Sequence, residues 1–166
     1  MGFTLESFAS ECRRILKADP GSAGRNKVRD LVQEVLKDEK FLATYLNEKT
    51  PDRQVIYEDP ELGFCICAHM NREAREANPH DHGTSWAIYG QAIGETEMSD
   101  WEVIEPASDG KPGEVRRARV YSLNPGMAHI YNEGDVHSPK RVSTTGLIRI
   151  EGKNTQKMKR LAYKAV

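Results

Sequence analysis

The stretch NPHDHGTSWAIYGQAIGETEM, residues 78–98, places two histidines two positions apart at the head of an alternating, glycine-spaced apolar run. In an extended strand, residues i and i+2 point to the same face, so His80 and His82 project side by side. Two imidazoles at this spacing can reach one metal ion, but a third ligand is needed to hold it. An isolated His-x-His pair in a strand is more often exposed or hydrogen-bonded than bound to a metal. Whether this pair binds a metal therefore depends on a third ligand elsewhere in the chain.

The best third ligand in the sequence is His129, which lies in LNPGMAHIYN at 123–132. The Pro125–Gly126 turn starts a short segment that would lie opposite the first pair if it forms a strand. We therefore expect His80, His82 and His129 to bind one divalent metal ion.

The region around these histidines has the period of a β protein. From about residue 53 onward, apolar and polar residues alternate in short segments separated by Gly, Pro, Asp and Asn turns. Many short strands without intervening helices predict an antiparallel sandwich or barrel. The hydrophilic stretch NREAREAN at 71–78 is predicted to be a loop. The predicted strands are QVIYE, FCICAHM, SWAIYGQAIGETEMSDWEVIE, EVRRARVYSL, MAHIYN, GLIRIEG and MKRLAYKAV.

The N-terminal part has helical period instead. Thr4 is a candidate N-cap for the first helix, and DPGSAG at 19–24 separates the first helical pattern from the second. The stretch FLATYL at 41–46 predicts a third, shorter helix. We expect residues 1–50 to form a helical segment packed on a barrel of residues 51–166, in one structural domain. The two apolar stripes are Leu5, Phe8, Ala9, Cys12, Ile15 and Leu16, then Val28, Leu31, Val32, Val35 and Leu36.

Composition narrows the range of partners. The 166 residues carry 24 Lys and Arg against 25 Asp and Glu, so the net charge of −1 provides no field for nucleic acid or anionic lipid. A small-molecule substrate is expected. Cys12, Cys65 and Cys67 form no C-x-x-C pair, and the N-terminus lacks the apolar core of a signal peptide, which favours a reducing cytoplasm. No apolar run approaches the roughly 20 residues that span a bilayer.

Two motifs resemble a known family. His80-x-His82, four residues, Ala87, six residues and Gly94 resemble the first motif of the cupins, and NPGMAH resembles their second, although here Gly directly follows Pro125. Within the cupins, HDHG and a non-acidic residue at the usual glutamate position resemble the thiol dioxygenases of the cysteine dioxygenase type. The resemblance runs from about residue 53 to 151. It implies an all-β double-stranded β-helix, a jelly-roll barrel, with N-terminal α-helices.

Ala87 at the glutamate position has a chemical consequence. The protein would supply three neutral imidazoles and no anion, which leaves the ion its full charge and two or three open coordination positions. Such a site suits a substrate that brings a thiolate. The resemblance thus implies an Fe(II) enzyme that adds O₂ to the sulfur of a small thiol acid. Zn, Ni and Mn remain alternative metals, and Zn would give hydrolytic chemistry or none.

The resemblance also points to substrate-binding residues. Arg53 lies upstream of His80 at nearly the distance of the arginine that binds the substrate carboxylate in cysteine dioxygenases, and a planar guanidinium suits that role. The alternative for Arg53 is a surface ion pair with a nearby carboxylate. Arg149 is the second candidate. It and Glu151 stand near the places where those enzymes carry a histidine and a tyrosine, and Ala87 replaces their crosslinked cysteine, so these family roles are not carried over.

Three further groups have two interpretations each. Trp86, Tyr89 and Tyr131 either wall the pocket or fill the barrel, and we favour Trp86 as a wall because it adjoins the vacant ligand position. His137, in GDVHSPKR, either lies near the metal or is a solvated loop residue. The strand FCICAHM places Cys65, Cys67 and His69 on one face, as a soft-metal set or, more commonly, as part of a buried core.

Two other functions remain open. One is a metal-dependent cupin of another reaction, an isomerase or a dioxygenase of carbon substrates. The other is a non-catalytic cupin that binds a small ligand and uses its helices as an interaction surface. The resemblance and the exposed strand edges are also consistent with a homodimer.

Overall fold

The computed structural model describes residues 2–166, and its elements follow the predicted order of helices and then strands. Among these residues, none of the helices is long and apolar enough to cross a membrane. The helices are α1 Leu5–Ala18, α2 Ser22–Val35 and α3 Glu39–Tyr45, with a 3-10 turn at Thr155–Lys157. The strands are β1 Gln54–Glu58, β2 Cys65–Asn71, β3 Arg75–Glu76, β4 Ala87–Ile93, β5 Thr96–Glu105, β6 Gly113–Leu123, β7 Ala128–Tyr131, β8 Val136–Arg141, β9 Thr145–Glu151 and β10 Tyr163–Ala165.

The ends of the helices follow local side-chain chemistry. The Thr4 side chain accepts a hydrogen bond from the Ser7 backbone at 3.0 Å and caps α1, as predicted. The Asp38 carboxylate caps α3 by accepting from the Phe41 backbone at 3.0 Å. The helices bury the predicted apolar stripes against the barrel, because exposing the apolar face of a helix to water is unfavourable.

Two five-stranded sheets form the barrel. Their orders are β1-β2-β9-β4-β7 and β10-β6-β5-β8-β3, and all pairs are antiparallel except β10 with β6. Together they make the predicted double-stranded β-helix. We call the first the helix-facing sheet, because its outer face packs against the helices.

The helix-facing sheet is buried on both faces, and the two faces differ in chemistry. Its outer face is apolar and forms one cluster with the helices, including Ile66, Ile88 and Ile150. Side chains directly opposite in an antiparallel pair share a face, and β4 pairs with β9 so that Tyr89 lies opposite Arg149. Both therefore point into the barrel. Side-chain alternation along the strands thus sends packing residues outward and reactive residues inward.

Three predictions along the chain were wrong. Strand β8 is missing from the predicted strands, because Pro139 interrupts it and VHSPKR has no apolar alternation. Pro139 has no N–H to donate, but its carbonyl accepts from the Ala77 backbone at 3.0 Å, so the strand keeps a hydrogen bond to the chain that follows β3. The stretch 71–78 contains β3, which is only two residues long. In the predicted strand MKRLAYKAV, only Tyr163–Ala165 is extended.

Gly90 in β4 permits the close approach of α2 to the sheet. A Cβ at Gly90 would lie 2.6 Å from Val32 Cγ1 and 2.9 Å from the Ile148 carbonyl oxygen. Gly90→Ala should therefore lower the free energy of unfolding by about 1–3 kcal/mol, because a well-packed core resists added volume. Urea unfolding would measure it. In the double variant with Val32→Ala the loss should be smaller than the sum of the two single losses, and simple additivity would contradict this packing.

Candidate metal centre

Three imidazoles meet inside the barrel. His80 and His137 form an isolated antiparallel bridge in which each backbone N–H donates to the other's carbonyl, at 3.0 and 2.9 Å. His82 lies two residues further along, so its side chain joins the same group. The ring centroids of His137 lie 4.8 Å from His80 and 4.7 Å from His82. One ligand nitrogen from each of the three lies within 4.8 Å of the other two.

The hydrogen bonds of these rings prepare them as ligands. His80 Nδ1 lies 2.8 Å from the Asn78 carbonyl oxygen, and His137 Nδ1 lies 3.0 Å from the Asp135 carbonyl oxygen. A carbonyl only accepts, so each Nδ1 carries the proton and each Nε2 keeps its lone pair. His82 has a buried Nδ1 without a partner. This donor set fits a divalent first-row metal ion.

Burial keeps the three rings neutral. It is the main reason that the pKa of each histidine is lowered, and the nearby Arg149 cation lowers the pKa of His82 further. His82 is 1% exposed and His137 is fully buried. The unprotonated imidazole, which is the form that binds metals, is therefore present at neutral pH.

Tyr89 and Arg149 border the cluster. The Tyr89 hydroxyl lies 2.9 Å from His82 Nε2 and 3.2 Å from His137 Nε2. The Arg149 guanidinium lies 4.2 Å above the Tyr89 ring, and its Nη2 is 3.2 Å from His82 Nε2. The hydroxyl can donate to only one of the two nitrogens at a time, and burial raises the pKa of Tyr89. The sequence left Tyr89 open between a pocket wall and barrel packing, and in the structure it contacts two of the imidazoles.

The structure replaces His129 by His137 as the third imidazole. His129 stacks on Tyr121 with centroids 5.0 Å apart, and its Nε2 lies 3.4 Å from Arg119. The Tyr131 ring contacts both histidines, at 4.7 Å from His129 and 4.1 Å from His137, and keeps them apart. A signal against His129 was present in the sequence, because its motif has Gly directly after Pro instead of one residue later.

Trp86 does not wall the site. Residues 86 and 88 of the chain point to the outer face, where Trp86 joins the cluster formed with the helices and lies 5.4 Å below the Arg25 guanidinium. Ala87, one position on, points into the barrel and lies opposite Glu151 in register. The strand alternation that brings Ala87 inward therefore turns Trp86 away.

Arg53 and Arg149 share one buried carboxylate. Arg53 Nη2 lies 2.7 Å from Glu151 Oε1, and Arg149 Nη2 lies 3.0 Å from Glu151 Oε2. Glu151 is fully buried, and a buried carboxylate needs such partners to remain charged. The two arginines predicted to clamp a substrate carboxylate are thus already engaged within the protein.

A second group of metal-type residues lies nearby. Ligand atoms of Cys67, His69 and Glu151 fall within 4.8 Å of one another. Two features oppose a cation there: Glu151 is held by two arginines, and burial raises the pKa of the Cys67 thiol to about 12. Binding would have to displace the arginines and deprotonate the thiol. This favours the interpretation of the buried cysteines as part of the packed interior.

Comparisons with known proteins find similar chains among solved structures only. No family model matches the sequence, and no curated protein matches it. Among solved structures, the chain is similar to the Schizosaccharomyces pombe Cnp3 cupin domain, with 10% identity and a TM-score of 0.46 over 63% of this chain and 65% of that one. It is also similar to the DMSP lyase DddQ from Ruegeria pomeroyi, with 10% identity and a TM-score of 0.48 over 66% of this chain and 50% of that one. It is similar as well to KdgF from Halomonas sp., with 13% identity and a TM-score of 0.46 over 68% of this chain and 91% of that one.

Metal analysis of two matched variants tests the ligand set. His137→Gln should lose most of the bound divalent metal, because it removes one of three ligands. His129→Gln should keep the wild-type metal content, because its ring lies beyond Tyr131. Both should retain the far-ultraviolet circular dichroism of the barrel. The reverse pattern, with metal lost only from His129→Gln, would restore the ligand set expected from the sequence.

The lowered histidine pKa values predict a pH dependence for the metal-free protein. The histidines of the unfolded chain take up protons near pH 6.5, whereas the buried histidines of the folded protein stay neutral at that pH. Their contribution to the free energy of unfolding is therefore fully present above pH 6.5 and is lost as the pH falls below it. The loss should reach about 1 kcal/mol per pH unit for each such histidine. Urea unfolding between about pH 7.5 and pH 5.5 measures it, and His137→Gln should have a smaller slope. Equal slopes would show that His137 titrates normally.

Proposed function

We propose that this chain is a metal-dependent enzyme, and specifically an Fe(II) thiol dioxygenase that converts a small thiol acid into its sulfinate. The observation that supports this most is the convergence of three neutral imidazoles without a carboxylate, from His80, His82 and His137. A protein ligand set without negative charge suits a substrate that provides an anionic ligand of its own, and a thiolate is such a ligand.

The reaction balances without a further co-reactant. Both atoms of O₂ are added to the sulfur, which gives up four electrons to them, and the thiol proton is released to solvent or remains on the sulfinic acid. Bound by the three imidazoles, Fe(II) would supply the redox chemistry that joins O₂ to the thiolate. Zn, Ni or Mn could be held by the same nitrogens, and the redox requirement of the reaction favours iron.

The surrounding residues hold the ligands and the substrate's charge. Backbone carbonyls of Asn78 and Asp135 fix the His80 and His137 rings through Nδ1, so that each Nε2 carries no proton and keeps its lone pair. The Arg149 cation favours the deprotonated form of a thiol placed beside His82. The Tyr89 hydroxyl is the nearest donor to the space that His82 and His137 share, and it can hydrogen-bond an oxygen or sulfur atom there.

Burial completes the site. His82 and His137 are almost inaccessible, while His80 is partly exposed, so a substrate approaches from the side of His80. Exclusion of water strengthens the electrostatic effect of Arg149 on the thiolate.

Oxygen consumption tests the proposal. Protein reconstituted anaerobically with Fe(II) should consume O₂ when 3-mercaptopropionate is added, and mass spectrometry should find a product with both oxygen atoms on sulfur. Protein loaded with Zn(II) serves as the control and should consume none, because zinc has no redox chemistry. If the iron-loaded protein leaves a panel of small thiols unoxidised, the thiol dioxygenase is excluded and another metal-dependent reaction becomes the leading candidate.

A further inference from the structure

A cavity of about 180 Å³ lies beside the imidazoles and leads to the surface. His80, Tyr89 and Arg149 line it, so it borders the proposed metal centre. It shares Arg75 and Arg141 with a larger outer cavity of about 450 Å³ that exposed residues of 72–75 line. A molecule that reaches the imidazoles by this route passes these two arginines.

The cavity is strongly cationic. Arg75, Arg141 and Arg149 line it, and of the described residues that do so none is acidic. Arg149 is matched by Glu151, but within residues 2–166 neither Arg75 nor Arg141 has an ion-pair partner within 4.0 Å. The acidic residues Asp52 and Glu73 line only the outer cavity. Two positive charges at the mouth of the inner cavity are therefore not held in an ion pair among residues 2–166.

The backbone places these two charges together. Arg75 of β3 lies directly opposite Arg141 of β8 in an antiparallel pair, an arrangement in which like charges are unfavourable. Burial and the neighbouring Arg75 lower the pKa of Arg141. An anion bound between the two guanidinium groups would relieve this repulsion.

Buried polar atoms along the same cavity also have no partner. His69 is 7% exposed and Thr96 is 1% exposed, and both line the cavity with an unpaired Nε2 and Oγ1. The Arg141 Nε is likewise buried and unpaired. Buried polar groups in native proteins almost always have a partner, and leaving one unpaired is costly. Their convergence on one cavity indicates a polar ligand there.

We propose that Arg75 and Arg141, with His69 and Thr96, bind the carboxylate of a short acid that has no amino group, while its other end reaches the imidazoles. Two guanidinium groups suit a carboxylate, which can accept from both. The described lining has no acidic residue to pair with an ammonium group, so an amino acid such as cysteine would bury an unpaired cation. The identity of the reacting end as a thiol rests on the proposed function, whereas anion binding does not.

The anion site can be tested in metal-free protein. Propanoate is titrated into isotopically labelled protein, and the side-chain resonances of Arg141 and His69 are followed by NMR. We expect saturable shifts at both, and no shifts with propanamide, which has the same shape without the charge. Arg141→Gln should weaken propanoate binding by about tenfold or more, because it removes one of two charged partners. Lys140→Gln is the matched control, since it removes the same charge from the exposed neighbouring position and should bind as the wild type does.

Two results of the binding titration would overturn the site: equal binding of propanamide and propanoate, or unchanged propanoate binding in Arg141→Gln. If Arg141→Gln does not fold, Arg75→Gln at the exposed position opposite takes its place and should also weaken binding. Measuring thiol oxidation distinguishes a failure of the anion site from a failure of the proposed dioxygenase. Propanoate binding without any thiol oxidation supports the anion site and contradicts only the dioxygenase. Thiol oxidation with the same KM for 3-mercaptopropionate, its amide and cysteine supports the dioxygenase and overturns the anion site.

Discussion

The constraint on which the structure depends is that the helix-facing sheet is buried on both of its faces. Its outer face needs an apolar cover, which the three N-terminal helices supply, with Gly90 allowing α2 to approach closely. Because packing against the helices takes place on that face, the inner face need not be apolar throughout. The same strands can then hold Tyr89 and Arg149 inside the barrel. The helices are therefore part of what makes the interior available for chemistry.

Charged groups inside the barrel need partners of opposite charge within the protein, and this requirement explains where the charges lie. Glu151 is fully buried and holds Arg53 and Arg149, so these three residues form a closed group with one surplus positive charge. The imidazoles remain neutral because burial and that surplus charge oppose their protonation. The arginine pair at the cavity mouth also has no ion-pair partner among the described residues. An anionic substrate between that pair and the imidazoles is consistent with this distribution.

Much of the fold was predictable because the local spacing of apolar residues indicates helices and strands. Strand β1 matches the predicted QVIYE, and the helical stripes and the Thr4 cap follow from spacing alone. The third imidazole was not predictable in the same way. His137 lies in β8, which Pro139 conceals, and it meets His80 only through a long-range bridge. Similarly, Arg53 pairs with Glu151, 98 residues away, and not with the neighbouring carboxylates that the sequence offered. Pairings between distant strands set the site, and periodicity within a strand does not report them.

We propose that His80, His82 and His137 together hold one metal ion. The most direct measurement is anomalous diffraction at the iron absorption edge, from crystals of protein reconstituted with Fe(II). We expect one strong anomalous peak within bonding distance of all three imidazoles. A peak beside His129, or one among Cys67, His69 and Glu151, would contradict it.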